Sequence, residues 1–177
     1  MPAWRHVDGR EGFEVLLDST GRFTGQTTGA EDGVLWALRY EIELDDGWAT
    51  RAGRVEGLSR EVRVEADGEG GWRVDGEPRP DLDGCLDLDL EVSVCTNALP
   101  VRRLALDVGE RAEAPAAWVR IPDLRVERLE QTYVRLPDEE GRSRYDYEAR
   151  DEGFACEIVF DAGGLTLEYP GIGVRVA

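Results

Sequence analysis

The sequence predicts a mainly β, single-domain fold: a curved antiparallel sheet partly closed like a barrel. Three observations carry this. Apolar residues recur at every second position over long stretches, turn residues recur at short spacing, and no stretch holds a helical period for three turns or more. In residues 34–44, Val34, Trp36, Leu38, Tyr40, Ile42 and Leu44 share one parity while Arg39, Glu41 and Glu43 take the other. Residues 86–94 repeat the pattern, with Leu86, Leu88, Leu90, Val92 and Val94 set against Asp87, Asp89, Glu91 and Ser93. A chain of 177 residues suits one domain, 1–177, with a sizeable core.

Taken in order, residues 13–17 form a short apolar run before the turn cluster Ser19, Thr20 and Gly21, and residues 22–28 return as a second strand. Residues 34–44 would span roughly 36 Å, longer than most strands, so this strand is expected to bend with its sheet. Asp45, Asp46 and Gly47 make a hairpin turn into residues 48–55. The apolar parity then switches between Val55 and Val62, which predicts a bulge or bend at Gly57 before residues 60–65. Short strands follow at 72–74 and, after the loop 77–84, at 86–94; the polar parity of that last strand is expected to be a solvated or arginine-paired face. Pro100 ends it, residues 101–108 are a strand or one helical turn, and 109–115 is loop. Strands are then expected at 118–121, 125–136 and 144–149, with a closing hairpin of 154–160 and 165–169.

The 21 cations, all arginine, stand against 38 acids, a formal charge of -17. An acidic sum of that size repels nucleic acid, which is bound through cationic contacts to phosphate. Three cysteines without a C-x-x-C spacing indicate a reduced compartment, and the mixed-charge N-terminus lacks a signal-peptide pattern, so a cytoplasmic location is expected. No stretch reaches the ~20 apolar residues that span a bilayer. Nothing sets the oligomeric state.

Chemistry is sparse. Asp81, Asp83, Asp87 and Asp89 suggest a hard cation only loosely, without EF-hand spacing or its closing glutamate. Neither a metal nor a cofactor is expected. Arg102 and Arg103 are placed to offset these carboxylates or to hold an anionic group. The cysteines read as buried thiols, since His6 is the sole histidine and lies far away in sequence. No nucleophile elbow, metalloprotease helix, P-loop or dinucleotide fingerprint is present. Aromatic residues, Trp36, Tyr40, Trp48, Trp72, Trp118, Tyr133 and Tyr147 among them, suit either the core or the wall of an apolar groove.

Six stretches taken together resemble the bacterial family of putative glycolipid-binding proteins: RYEIELDDGWATR (39–51), GWRVDG (71–76), DGCLDLDL (83–90), TNALPVRRLAL (96–106), RYDYE (144–148) and GGLTLEYPG (163–171). The specific part is DGC-D-DL followed by TN-LP-RRL. The resemblance covers nearly the whole chain. It implies a single-domain β fold likened to the incomplete barrels of lipoprotein carriers and brings no catalytic residues. The expectation is a non-enzymatic module that holds an amphipathic small molecule, a lipid or glycolipid, in the groove of the curved sheet. Its candidate contacts are Trp36, Tyr40, Trp48, Arg51, Asp87, Asp89, Asn97, Arg102, Arg103 and Tyr147. Two alternatives stay open: an enzyme on lipid-linked or sugar substrates acting through Asp87 or Asp89, and an interaction protein without a small ligand. A concave side packed solid would count against the first reading, and a cleft-facing carboxyl with a raised pKa would favour the enzyme.

Overall fold

The computed structural model describes residues 1–177. The N-terminal part is a meander of eight strands: β1 (Ala3–His6), β2 (Glu11–Ser19), β3 (Arg22–Glu31), β4 (Val34–Leu44), β5 (Thr50–Glu56), β6 (Glu61–Ala66), β7 (Trp72–Val74) and β8 (Glu77–Pro78). The middle holds β9 (Asp87–Leu90), α1 (Ala98–Leu104), β10 (Arg111–Glu113), β11 (Ala116–Val119) and β12 (Val126–Leu129). A second meander closes the chain with β13 (Gln131–Glu139), β14 (Arg142–Ala149), β15 (Phe154–Phe160), β16 (Thr166–Tyr169) and β17 (Gly173–Arg175).

The two meanders and β10 form one 14-stranded sheet, in spatial order β10, β13 to β17, then β1 to β8. They join where the termini pair, with Trp4 opposite Arg175 and His6 opposite Gly173. Neighbours are antiparallel, and the sheet curves without closing, its edges being β10 and β8. Register shifts between Glu43 and Leu44, Leu136 and Glu139, and Val159 and Phe160 add local bend. The even-numbered residues of β4, from Trp36 to Leu44, are buried on the concave side.

The concave side is filled by the middle of the chain. There β9, β11 and β12 make a second, 3-stranded sheet. Its β9–β11 pair is parallel, unlike anything in the large sheet. Parallel neighbours need a crossover, and α1 lies on it. The helix accepts Pro100 because a first-turn residue has no intrahelical N–H bond to lose. It ends at Ala105, whose left-handed φ of 44° turns the chain away. The small sheet hooks onto the large one through Thr50, whose N–H donates to the Leu86 carbonyl and whose Oγ1 accepts the Leu88 N–H.

Several expectations are corrected. Residues 86–94 are not one strand, since pairing lasts only from Asp87 to Leu90; on its polar parity Asp87 is 1% exposed and paired with Arg103, as one of the two expected readings has it, and Asp89 is half-buried. Gly57 marks no bulge. Its N–H bonds the Arg60 carbonyl in a hairpin turn that sets Val55 opposite Val62, and the loop length accounts for the parity switch. Residues 125–136 divide at Glu130 between the two sheets, residues 101–108 begin as helix, and β10 lies within the expected loop 109–115. The open groove expected along the curved sheet is occupied by residues 85–106. No helix is long and apolar enough to cross a membrane.

Candidate ligand-binding site

A cavity of about 230 Å³ lies between the small sheet and the C-terminal meander. Asp89 and Leu90 of β9, followed by Glu91, Ser93 and Asn97, line one side. Trp118 of β11 and Leu129 of β12 continue that wall, and Tyr147, Ala149, Phe154, Tyr169 and Ile172 of the C-terminal meander face it. Arg10 and Glu152 complete the lining. Tyr147, Phe154 and Tyr169 meet edge to face, with centroids 5.9 to 6.2 Å apart. Antiparallel register brings them together, because Ala149 pairs with Phe154 and Tyr147 with Cys156 two steps along.

The polar groups differ in how their charge is met. Asp87 accepts both Nε and Nη2 of Arg103, at 3.0 and 2.5 Å, a bidentate pair; burial raises its pKa and the arginine opposes the rise. Asp89 accepts the Thr96 hydroxyl at 2.5 Å and has no arginine; burial pushes its pKa up to about 6. Glu91 accepts the Ile121 N–H at 2.7 Å and Nη2 of Arg120 at 3.2 Å. Arg120 also lies over the Trp118 ring at 4.1 Å. Nε of Arg10 is 2.9 Å from Glu31. Behind the lining, the fully buried Glu14 gathers the Tyr40 hydroxyl at 2.7 Å, the Ser93 hydroxyl at 2.6 Å and the Val94 N–H at 2.5 Å. Burial still raises its pKa, against those donors.

Of the ten residues expected to contact a ligand, the cavity brings together Asp89, Asn97 and Tyr147. Asp87 and Arg103 form the neighbouring ion pair. Trp36 and Tyr40 are core residues of β4, bonded to Thr27 and Glu14 respectively. Trp48 and Arg102 stack on each other at 4.4 Å at a separate rim, where Arg102 pairs with Asp18. Arg51 is 3.9 Å from Asp45 on the surface. Arg10, Glu91, Ser93, Glu152, Phe154 and Tyr169 line the cavity without having been singled out as ligand contacts. The alternation of Phe154 and Tyr169 was visible, but not that their face meets β9. The thiols are poor nucleophiles: burial pushes Cys85 up to about 11 and Cys156 up to about 12, and raises Cys95 as well.

No functionally curated protein matches the chain. A crystal structure of a DUF1089 family protein from Pseudomonas aeruginosa is similar, with 32% identity and a TM-score of 0.83 over 98% of this chain and 95% of that one. The family model described as "Putative glycolipid-binding" matches residues 1–175, and the chain belongs to that family.

Proposed function

We propose that the protein is a non-enzymatic binding module whose cavity receives one end of an amphipathic ligand of glycolipid type. The observation that carries this is the cavity's make-up: the ring trio Tyr147, Phe154 and Tyr169 with Trp118 beside Asp89 and Asn97. Aromatic faces receive the apolar faces of sugars and alkyl groups, while carboxylate and amide oxygens accept hydroxyls. At about 230 Å³ the space is below the ~300–1,000 Å³ of pockets that enclose a whole drug-sized ligand. It suits a head or one ring, with the tail outside the cavity.

Native mass spectrometry of protein purified without detergent, with its lipid extract analysed alongside, tests this. A stoichiometric co-purifying amphiphile that is lost in Trp118→Ala is expected. An apo mass unchanged on adding bacterial lipids overturns the reading. A second reading is favoured by one observation, the cavity-lining carboxyl of Asp89 with its pKa near 6: hydrolysis of a lipid-linked sugar with Asp89 as acid or base. Asp87 does not share that role, because Arg103 occupies both its oxygens. Turnover of nitrophenyl glycosides that vanishes in Asp89→Asn would establish that reading in place of the first.

A further inference from the structure

We propose that the cavity receives a cation: the ligand carries a protonated amine that pairs with Asp89 and lies against the wall formed by Tyr147, Phe154 and Tyr169. This rests on the binding function proposed above and names the chemistry of the head. Four carboxyls lie buried or half-buried around residues 85–106, and two of them have a counter-charge within the protein. Asp87 has Arg103, Glu91 has Arg120 and the Ile121 N–H, and Glu14 has hydroxyl, thiol and backbone donors. Asp89 lines the cavity with no counter-charge: its donors are the Thr96 hydroxyl on Oδ1 and the Leu90 backbone N–H, whereas Glu14, also without a counter-charge, does not reach the cavity. An enclosed carboxylate without a counter-charge is costly, and the cavity is where a counter-charge can enter.

The surroundings select the same sign. Facing Asp89 are Asp87 and Glu91 from its own segment, and Tyr133, Tyr147 and Tyr169 from β13, β14 and β16. None of these is a cation. Of the charged groups in the lining, Glu91 and Glu152 lie 3.2 and 3.9 Å from Arg120, and Arg10 lies 2.9 Å from Glu31, which leaves Asp89 as the lining charge without a counter-charge. A phosphate or carboxylate head would enter against that carboxylate. The three rings, packed edge to face, make one wall of the cavity beside that carboxylate, and aromatic rings attract ammonium groups.

The test compares amphiphiles of one tail by calorimetry: n-octylamine, octyl glucoside, octyl glucosaminide and its N-acetyl form. At pH 7.5 the free amines are expected to bind at least ten-fold more tightly than the neutral glucoside and the acetylated form. Asp89→Asn removes the preference, as does lowering the pH to 5, where Asp89 takes up a proton. Asp46→Asn, which removes the same unit of charge from an exposed turn, leaves it intact. The two amines distinguish an amino-sugar head from an alkylamine. Equal binding of amine and glucoside, or a preference that survives Asp89→Asn, overturns this proposal while leaving the binding module standing. Absence of binding by all four probes overturns both.

Discussion

Asp87 and Asp89 are two residues apart on one strand and have opposite electrostatic surroundings. For Asp87 the Arg103 fork makes a buried ion pair, and the expectation follows from removing one member. Arg103→Met strands a carboxylate that is 1% exposed and should lower the urea unfolding free energy by ~3–5 kcal/mol. The double variant Asp87→Leu/Arg103→Met should cost less than that single change, because both desolvation penalties go with it. A cost under ~1 kcal/mol for Arg103→Met would mean that water reaches the pair.

Asp89 has no such partner. Its pKa rises from 3.8 to about 6 in the folded protein, so the fold prefers the protonated form. Stability from that preference is full below pH 3.8 and is lost as the pH passes through 6. Asp89→Asn should therefore stabilise the ligand-free protein by up to ~3 kcal/mol at pH 7.5, at ~1.4 kcal/mol per unit of pKa. The advantage should shrink toward pH 4. Equal melting curves for the two proteins at pH 7.5 would show that Asp89 is not penalised. The arginine pairing of Asp87 was legible, since Arg103 follows a short turn after these carboxylates, but the burial of Asp89 without a counter-charge was not. A two-residue period assigns Asp87 and Asp89 to one face but does not reveal that a second sheet covers that face.

At the scale of elements, the long strands were legible because their information is local: β4 has the bounds its alternation predicts. The middle of the chain was not. The parallel partner of β9 is β11, beyond a helix and an edge strand, and no short-range period records that pairing. Likewise β2 carries Glu14 inward and Phe13, Val15 and Leu17 outward, against the usual sorting, because Glu14 receives the donors around Ser93. The seating of residues 85–106 on the sheet is testable at Gly53. A Cβ there would lie 2.5 Å from Leu88 Cδ2 and 2.8 Å from Val64 Cγ2. Gly53→Ala should cost ~1–3 kcal/mol by overpacking. Combined with Leu88→Ala it should cost at least ~1 kcal/mol less than the two changes added. Strict additivity would mean that β9 does not rest on β5.

For the whole molecule the dominant quantity is the charge of -17. The exposed arginine pairs, such as Arg22 with Glu43 and Arg125 with Glu127, contribute little each and do not cancel the repulsion of the excess carboxylates. Burial also raises the pKa of three enclosed acids, Glu14, Asp87 and Asp89, and each favours the fold more as it takes up a proton. His6 works the other way. Burial lowers its pKa from 6.5, so its contribution is lost as the pH falls below 6.5, but it is one group against three and against the relief of net charge. Paired surface acids such as Glu61 and Glu157, whose arginines lower their pKa values, begin to lose stability only below their ordinary value of 4.5. Between pH 7.5 and about 5 the melting temperature should therefore rise on acidification, and fall again at lower pH. Added salt screens the same repulsion, so 0.5 M NaCl, a Debye length of ~4 Å, should raise the melting temperature more at pH 7.5 than at pH 5. A melting temperature that drops steadily from pH 7.5 to 5 would place His6 and the surface pairs above the charge excess. Insensitivity to salt at pH 7.5 would mean that the arginines already neutralise the surface where it matters.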